Sequence, residues 1–308
     1  MPELILSYRK LYKLKNTYLD PLPSYIVADT KRVHSSFNQT MTATGRLSTS
    51  SPNFQNIPIR TEDGKEIRKA IKAQSNEYQI FSADYSQVEL RVMAHLSGDE
   101  SLISALNNGE DIHTFTAKNI FNVDNDDMVL PEMRRIAKIV NFGIMYGAGP
   151  FRLSQELDIP FGEAKQIKDA YFQKYQGIEQ YIENSKLQIK ETKSVETLLG
   201  RKRAVWDSDS QNKIRRDAAE RMAINMPIQG TAAEMIKLAM IKIHRQMNKE
   251  NLKSKLIMQI HDELLLEVHQ DEIDYISKMV IEHMRNAMKL DVPIEIDFGI
   301  GPSWYEAH

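Results

Sequence analysis

The strongest constraint on this fold is the placement of its strand-like runs, which are similar in character but far apart along the chain. Gln79 to Ala83 reads as a strand, the apolar runs Lys255 to Ile260 and Leu264 to Val268 read as two more, and Pro293 to Phe298 reads as another. Between the first run and the rest, from Ser101 to Lys249, apolar residues recur at helical spacing, with breaks near Gly109, Asn122 to Asn125, Gly147 to Pro150 and Gly200 to Ser210. A further helix is expected around Asp271 to Leu290. The order strand, many helices, hairpin, helix, strand describes an α+β chain in which a sheet domain is interrupted by a helical insertion.

Ahead of the first strand, Leu4, Ile5, Tyr8, Leu11 and Tyr12 mark a helix that Pro21 and Pro23 stop. Thr30 to Asn76 is rich in Thr, Ser, Asn and Pro, which suggests loops with short strands. The 308 residues, 42% of them hydrophobic, can bury one large core or two closely packed ones. Basic residues number 40 against 42 acidic ones, so any surface for a polyanion has to be local. The absence of cysteine excludes disulfides, zinc-thiolate sites and cysteine nucleophiles. No apolar run approaches the roughly 18 residues of a membrane span, and Met1 to Lys15 lacks a continuous apolar signal segment. A soluble, intracellular protein is expected.

His261 and Asp262 lie between two strand-like runs, where a short hairpin turn would favour Asn-Gly or Asp-Gly. A broken local rule of this kind often marks a site. Asp84 likewise ends a strand, in FSADYSQVELR. Each aspartate alone reads equally as a solvated strand end. If their strands are neighbours, however, the two carboxylates converge and offer hard oxygen ligands suited to magnesium. Glu263 ranks below Asp262, since alternation along a strand points its side chain the other way.

The run PEMRRIAKIVNFGIMYG, Pro131 to Gly147, opens with a proline suited to a first helical turn. Arg134, Lys138, Phe142 and Tyr146 follow at steps of four, so one face carries two cations and then two rings. Such a face can hold the oxygens of a triphosphate and pack on a sugar or base, or it can be an ordinary solvated face. Arg201, Lys202, Arg203, Lys213, Arg215, Arg216 and Arg221 make a basic stretch able to track a phosphate backbone, although interspersed acids leave a plain solvated surface open.

These segments together resemble the family A DNA polymerases, of the DNA polymerase I type. DYSQVELR at 84–91 is similar to the family's motif A, RRIAKIVNFGIMYG at 134–147 to motif B, and IMQIHDELLLEV at 257–268 to motif C. TATGRLS at 42–48, PNFQNIP at 52–58 and RMAINMPIQGTAAEMIKLAM at 221–240 are also family-like, so the resemblance is nearly end to end. It implies a right-hand polymerase architecture whose palm, an antiparallel sheet, is interrupted by helical fingers. The expected division is a thumb-remnant helix at 1–23, palm at 24–97, fingers at 98–221 and palm again at 222–308. Most of the thumb and the nuclease domains of longer relatives are expected to be absent.

The resemblance further implies template-directed addition of deoxynucleotides to a primer 3′-hydroxyl, with two magnesium ions for which manganese can stand in. Asp84 and Asp262 would hold the metals, with Tyr85 contributing its carbonyl and Glu263 a weaker ligand. Arg134, Lys138, His113 and Gln87 would bind the triphosphate, and Lys138 would donate a proton to the departing pyrophosphate. Phe142 would pack on the sugar and base, Tyr146 would occupy the templating position until closure, and Glu89 would be the steric gate against a 2′-hydroxyl. Taken alone, Glu89 reads as a helix carboxylate paired with Arg91. Arg46, Asn56, Arg60, Arg221, Asn225, Gln229 and His261 match positions that touch primer or template. Alone, Asn225 reads as a turn residue, Gln229 as a cap near Pro227 and His261 as a hairpin closer. The expected partners are primer-template DNA and deoxynucleoside triphosphates, with no membrane, for a monomer in a bacterial-type cytoplasm at the nucleoid. Neither proofreading nor 5′-nuclease activity is expected. The alternative is a catalytically incomplete fragment that binds primer-template without extending it.

Overall fold

The computed structural model describes residues 2–58 and 62–308. In chain order its helices are α1 (Pro2–Leu14), α2 (Glu62–Glu66), α3 (Val88–Ser97), α4 (Glu100–Asn107), α5 (Ile112–Phe121), α6 (Pro131–Met145), α7 (Pro150–Leu157), α8 (Phe161–Lys174), α9 (Gln176–Thr192), α10 (Lys213–Lys249) and α11 (Ile273–Arg285). The strands are β1 (Ser36–Asn38), β2 (Ser48–Ser50), β3 (Tyr78–Tyr85), β4 (Ser194–Glu196), β5 (Lys202–Ala204), β6 (Lys255–Ile260), β7 (Glu263–His269) and β8 (Ile296–Gly301). The chain divides into two compact units: Met1–Ser86 with Met235–Ala287 and Glu295–His308, and Gln87–Glu234 with Met288–Ile294.

The first unit is organised by a four-stranded antiparallel sheet in the order β6-β7-β3-β8. β3 is thus paired on both sides, and its neighbours come from residues some 180 to 220 positions later in the chain. One sheet face receives α11, whose Ile276, Met279, Val280 and Met284 are buried, and the Tyr85 hydroxyl donates to the Met284 carbonyl at 2.8 Å. On alternation the other face carries Ile80 and Leu265, which join a core cluster with Leu14, Tyr18, Phe54, Ile67 and Trp304. β8 starts and ends later than the apolar pattern of Pro293 to Phe298 suggests. Pro293 has no N–H to give the ladder, and the strand continues through Gly299 and Gly301 because Ala307 and Glu306 pass directly over them. A Cβ on Gly299 would lie 2.5 Å from the Ala307 carbonyl oxygen.

The second unit is helical, apart from the small β4-β5 hairpin, which turns at Gly200 (φ +81). That hairpin is too short to leave a period in the sequence. Asp99 joins two helices of this unit. Its Oδ1 accepts from the Leu102 N–H at 2.9 Å, capping α4, and its Oδ2 accepts from the Gly177 N–H at 2.8 Å, at the start of α9. Gly177 is required there, since a Cβ would come within 2.7 Å of the Asp99 Cα. Asp99→Ala is therefore expected to lower stability by about 2–3 kcal/mol in urea denaturation, because two helix starts lose a buried acceptor together. A loss no larger than that of an exposed surface substitution would contradict this double capping.

α10 runs for 37 residues with Pro227 in its interior. Proline there removes one helical hydrogen bond, which packing of the long helix must outweigh. Asn225 and Gln229 thus lie inside a helix, and the readings of turn and cap do not apply to them.

Candidate active site

The carboxylate end of the sheet follows from strand register. In β3, Asp84 stands directly across from Glu263 of β7 and from Asp297 of β8, and the Tyr85 N–H donates to the Asp262 carbonyl at 3.2 Å. Asp262, in the turn that precedes β7, is thereby brought to the end of β3 that carries Asp84. β6 and β7 join through His261 and Asp262 alone, and His261 sits at φ +52, in the left-handed region that turns favour and bulky side chains avoid. Its ring is held by donation from Nε2 to the Gln55 carbonyl at 3.0 Å.

Burial pushes the Asp84 carboxyl up to about 7, and Glu263, Asp262 and Asp297 add to the rise. Burial raises Asp262 as well, against the opposing pull of Arg46 and His261. Arg46 Nη2 stands 4.0 Å from Asp262 Oδ1, too far for a strong charge-assisted bond. Two partly buried carboxylates brought together at one end of the sheet suit a hard divalent cation. Among the described residues no three His, Asp or Glu side chains form a closed metal cage. Asp84 and Asp262 nevertheless supply carboxylate oxygens, the donors a hard divalent cation takes.

Glu263 has a different environment from the one alternation along its own strand suggests. Opposite residues of an antiparallel pair share a face, so Glu263 lies on the side of Asp84. Its Oε1 accepts from the Ser82 hydroxyl at 2.6 Å and the Trp304 indole N–H at 2.8 Å, and His308 Nδ1 is 3.5 Å away. Burial pushes this carboxyl up, but the bonds from His308, Ser82 and Trp304 outweigh it and hold the group below its usual range. Behind Trp304, the buried Arg68 guanidinium stacks at 3.9 Å from the ring centroid. Neither Arg68 nor Asp297 is marked by any sequence pattern; pairing of β8 with β3 brings Asp297 to this end, and stacking on Trp304 brings Arg68.

In the second unit, Gln87 adopts φ +52 at the N-cap of α3, and Glu89 in the first turn of that helix is buried. Glu89 Oε2 accepts from the Tyr146 hydroxyl at 2.5 Å, whereas Arg91 donates to the Pro293 carbonyl at 2.5 Å. α6 buries Ala137, Val140, Asn141, Ile144 and Met145, which leaves Arg134 and Lys138 exposed and Phe142 and Tyr146 half-buried on the face expected from their spacing. The Phe142 and Tyr146 rings stack at 6.5 Å, and the His113 ring lies 5.7 Å from Phe142.

Arg134 is engaged in a two-pronged pair with Asp111, at 3.1 Å and 2.6 Å. Burial pushes the Asp111 carboxyl up, but Arg134 and the Thr114 N–H bring it down to about 2. The pattern that marks the cationic face does not include Asp111, whose local signal is its place as N-cap of α5. No ion pair to Lys138 occurs among the described residues.

The residues expected at DNA divide between the units. Arg46, Asn56 and His261 belong to the sheet unit, where the Tyr18 hydroxyl donates to the Asn56 carbonyl. Arg221, Asn225 and Gln229 are spaced four apart along α10, half-buried, and so share one stripe of the helical unit. Arg60 lies outside the described residues. Among the described residues no helix is long and apolar enough to cross a membrane.

Comparison with known proteins agrees with this geometry. Residues 1–306 match the family model described as DNA polymerase family A. The chain is 50% identical over 305 residues to the thermostable DNA polymerase I of Thermus filiformis and 47% identical over 305 residues to DNA polymerase I of Bacillus subtilis. Each match covers 99% of this chain but only 36% and 34% of those proteins, so the chain spans about a third of their length. The structure superposes on the POL domain of Pol1 from M. smegmatis, solved in complex with DNA primer-template and dNTP, with a TM-score of 0.94 and 44% identity over 98% of this chain and 53% of that one. With an antiparallel sheet bearing paired aspartates, a helical unit bearing a cationic face, and a match over almost every residue, the chain belongs to DNA polymerase family A.

Proposed function

We propose that this chain is a template-directed DNA polymerase segment that adds deoxynucleotides to a primer 3′-hydroxyl. The observation that carries the reading is the pair of desolvated carboxylates, Asp84 and Asp262, at adjacent strand ends of a family A chain. In this reading the sheet unit is the palm and the helical unit the fingers, and the segment acts as a monomer with neither proofreading nor 5′-nuclease activity. Two Mg²⁺ ions bound there, or Mn²⁺ in their place, would favour in-line displacement by activating the primer hydroxyl and stabilising the leaving pyrophosphate.

Asp84 and Asp262 supply the charged ligands and Tyr85 its carbonyl. Glu263, already engaged by Ser82 and Trp304, acts chiefly by holding its neighbours in place. On α6, Lys138 meets the triphosphate and protonates the leaving group, Arg134 exchanges Asp111 for phosphate oxygens, and His113 and Gln87 assist. Phe142 supports sugar and base, and Tyr146 stands in the templating position until closure. Arg46, Asn56, Arg60, His261, Arg221, Asn225 and Gln229 contact primer-template DNA, where minor-groove acceptors vary little between base pairs and so permit a check of pair shape without reading sequence.

Glu89, buried and bonded to the Tyr146 hydroxyl, leaves little space for a 2′-hydroxyl. Glu89→Ala is accordingly expected to raise ribonucleotide incorporation relative to deoxyribonucleotide about a hundredfold, read from kcat/KM for each. An unchanged ratio would remove Glu89 from the role of gate. The function itself is tested by extending a labelled DNA primer on a DNA template with magnesium and all four deoxynucleotides. Templated lengthening supports the reading; a gel shift of the DNA without lengthening would identify a binding fragment instead.

A further inference from the structure

Where α5, α6 and the end of α8 meet lies a buried polar chain of which the proposed chemistry uses only His113. His113 and Asn141 are 3% and 1% exposed, and Thr116 and Tyr175 are fully buried. Asn141 Nδ2 lies 3.1 Å from His113 Nδ1, Thr116 Oγ1 lies 3.2 Å from Asn141 Oδ1, and the Tyr175 hydroxyl lies 2.8 Å from Thr116 Oγ1. Buried polar groups are as a rule hydrogen-bonded, so in such a chain the orientation of each group is set by its neighbour.

We propose that Asn141 is a positioning residue, which sets His113 as a neutral Nε2–H donor to triphosphate oxygens by giving its own amide hydrogen to His113 Nδ1. The inference rests on the reading of His113 as a triphosphate contact. An amide nitrogen donates and cannot accept, so the ring nitrogen facing it must present its lone pair, and the single ring proton then resides on Nε2. The rest of the chain is compatible with this: the amide nitrogen has a second hydrogen for Thr116 Oγ1 at 3.1 Å, and whether the Thr116 hydroxyl donates to the amide oxygen or to the Tyr175 hydroxyl, the amide nitrogen remains a donor to the ring. The opposite direction would turn an Nε2 lone pair toward anionic oxygens, which repel it.

The groups that act on this ring come from both helices: Asp111 beside it on the approach to α5, and Arg134 and Lys138 on α6. Burial brings His113 down to about 4, Asp111 opposes that, and Arg134 and Lys138 reinforce it. The ring therefore stays uncharged near neutral pH. A neutral donor holds a phosphate oxygen without delivering a proton to it, which leaves proton delivery to Lys138.

Tautomer and kinetics test this together. In the 308-residue chain carrying ¹⁵N-labelled histidine, with His113→Gln used for assignment, two-bond ¹⁵N–¹H correlation is expected to show Nδ1 unprotonated and Nε2 protonated at His113 from about pH 6 to about pH 8. Asn141→Leu is expected to mix the tautomers and raise KM for the nucleotide about tenfold while kcat stays within about threefold. Asn141→Asp, whose carboxylate favours imidazolium, is expected to make KM titrate near neutral pH, which a merely structural residue would not do. Should Asn141→Leu fail to fold, Thr116→Val, which frees the amide to turn, is expected to mix the tautomers as well. A protonated Nδ1 in the parent chain, or a tautomer indifferent to both substitutions, would overturn the proposal. An unchanged nucleotide KM in His113→Ala, with the expected tautomer in place, would instead overturn the underlying role of His113.

Discussion

Asp84→Asn and Asp262→Asn are each expected to reduce templated primer extension by roughly a thousandfold or more while changing primer-template affinity less than about threefold. Asparagine keeps the size of the side chain and removes the charge that would hold a divalent cation, so the effect should fall on chemistry and not on folding. Single-turnover extension rates and gel shifts with the same DNA measure the two quantities separately. Glu263→Gln should cost much less, since hydrogen bonds from Ser82 and Trp304 to its side-chain oxygen can be retained. Extension at the parental rate in either asparagine variant would remove that aspartate from the catalytic centre. Equal losses in Glu263→Gln would make Glu263 a ligand in its own right.

The same carboxylates should make the metal-free chain lose stability as pH rises. Asp84 has a folded-state pKa of about 7 against a free value of 3.8, so the folded chain binds the proton more tightly than the unfolded chain does. Its contribution is complete below about pH 4, is lost between about pH 4 and pH 7, and amounts to on the order of 4 kcal/mol at most, less where solvent reaches the half-buried carboxyl. Asp262 is displaced in the same direction and adds to the slope. His113 acts oppositely: its folded-state pKa of about 4 lies below 6.5, so its stability is lost as pH falls through that interval.

Urea denaturation with and without Asp84→Asn, in the presence of a chelator, isolates the aspartate by difference. The variant is expected to be the more stable at pH 8, and magnesium is expected to stabilise the parent chain there and to do little near pH 5. A flat difference between the curves from pH 4 to pH 8 would show that Asp84 is not desolvated as described. The expected pattern is that of a site held at some cost to the fold, which its metal offsets.

Much of this molecule is legible in the sequence. The period of apolar residues located β3, β6, β7 and the long helical run, because side-chain alternation and helical spacing are properties of adjacent residues. The spacing of Arg134, Lys138, Phe142 and Tyr146 likewise placed them on one helix face, since a helix has a single geometry. Boundaries were less legible. β8 is displaced by the donor missing at Pro293 and by the close passage of Ala307 over Gly299, and the helix expected at Asp271 to Leu290 is confined to Ile273–Arg285.

By itself, then, the sequence determined the kinds and order of the elements, the family, and the strand-end positions of Asp84 and Asp262. Tertiary structure alone decided that Glu263 and Asp297 flank Asp84, that Trp304 and Ser82 hold Glu263, that Asp111 engages Arg134, and that Asn141 faces His113. The physical reason is common to all of these. Cross-strand register, desolvation and side-chain pairing depend on groups brought together from distant parts of the chain, and no local period records which of them will meet.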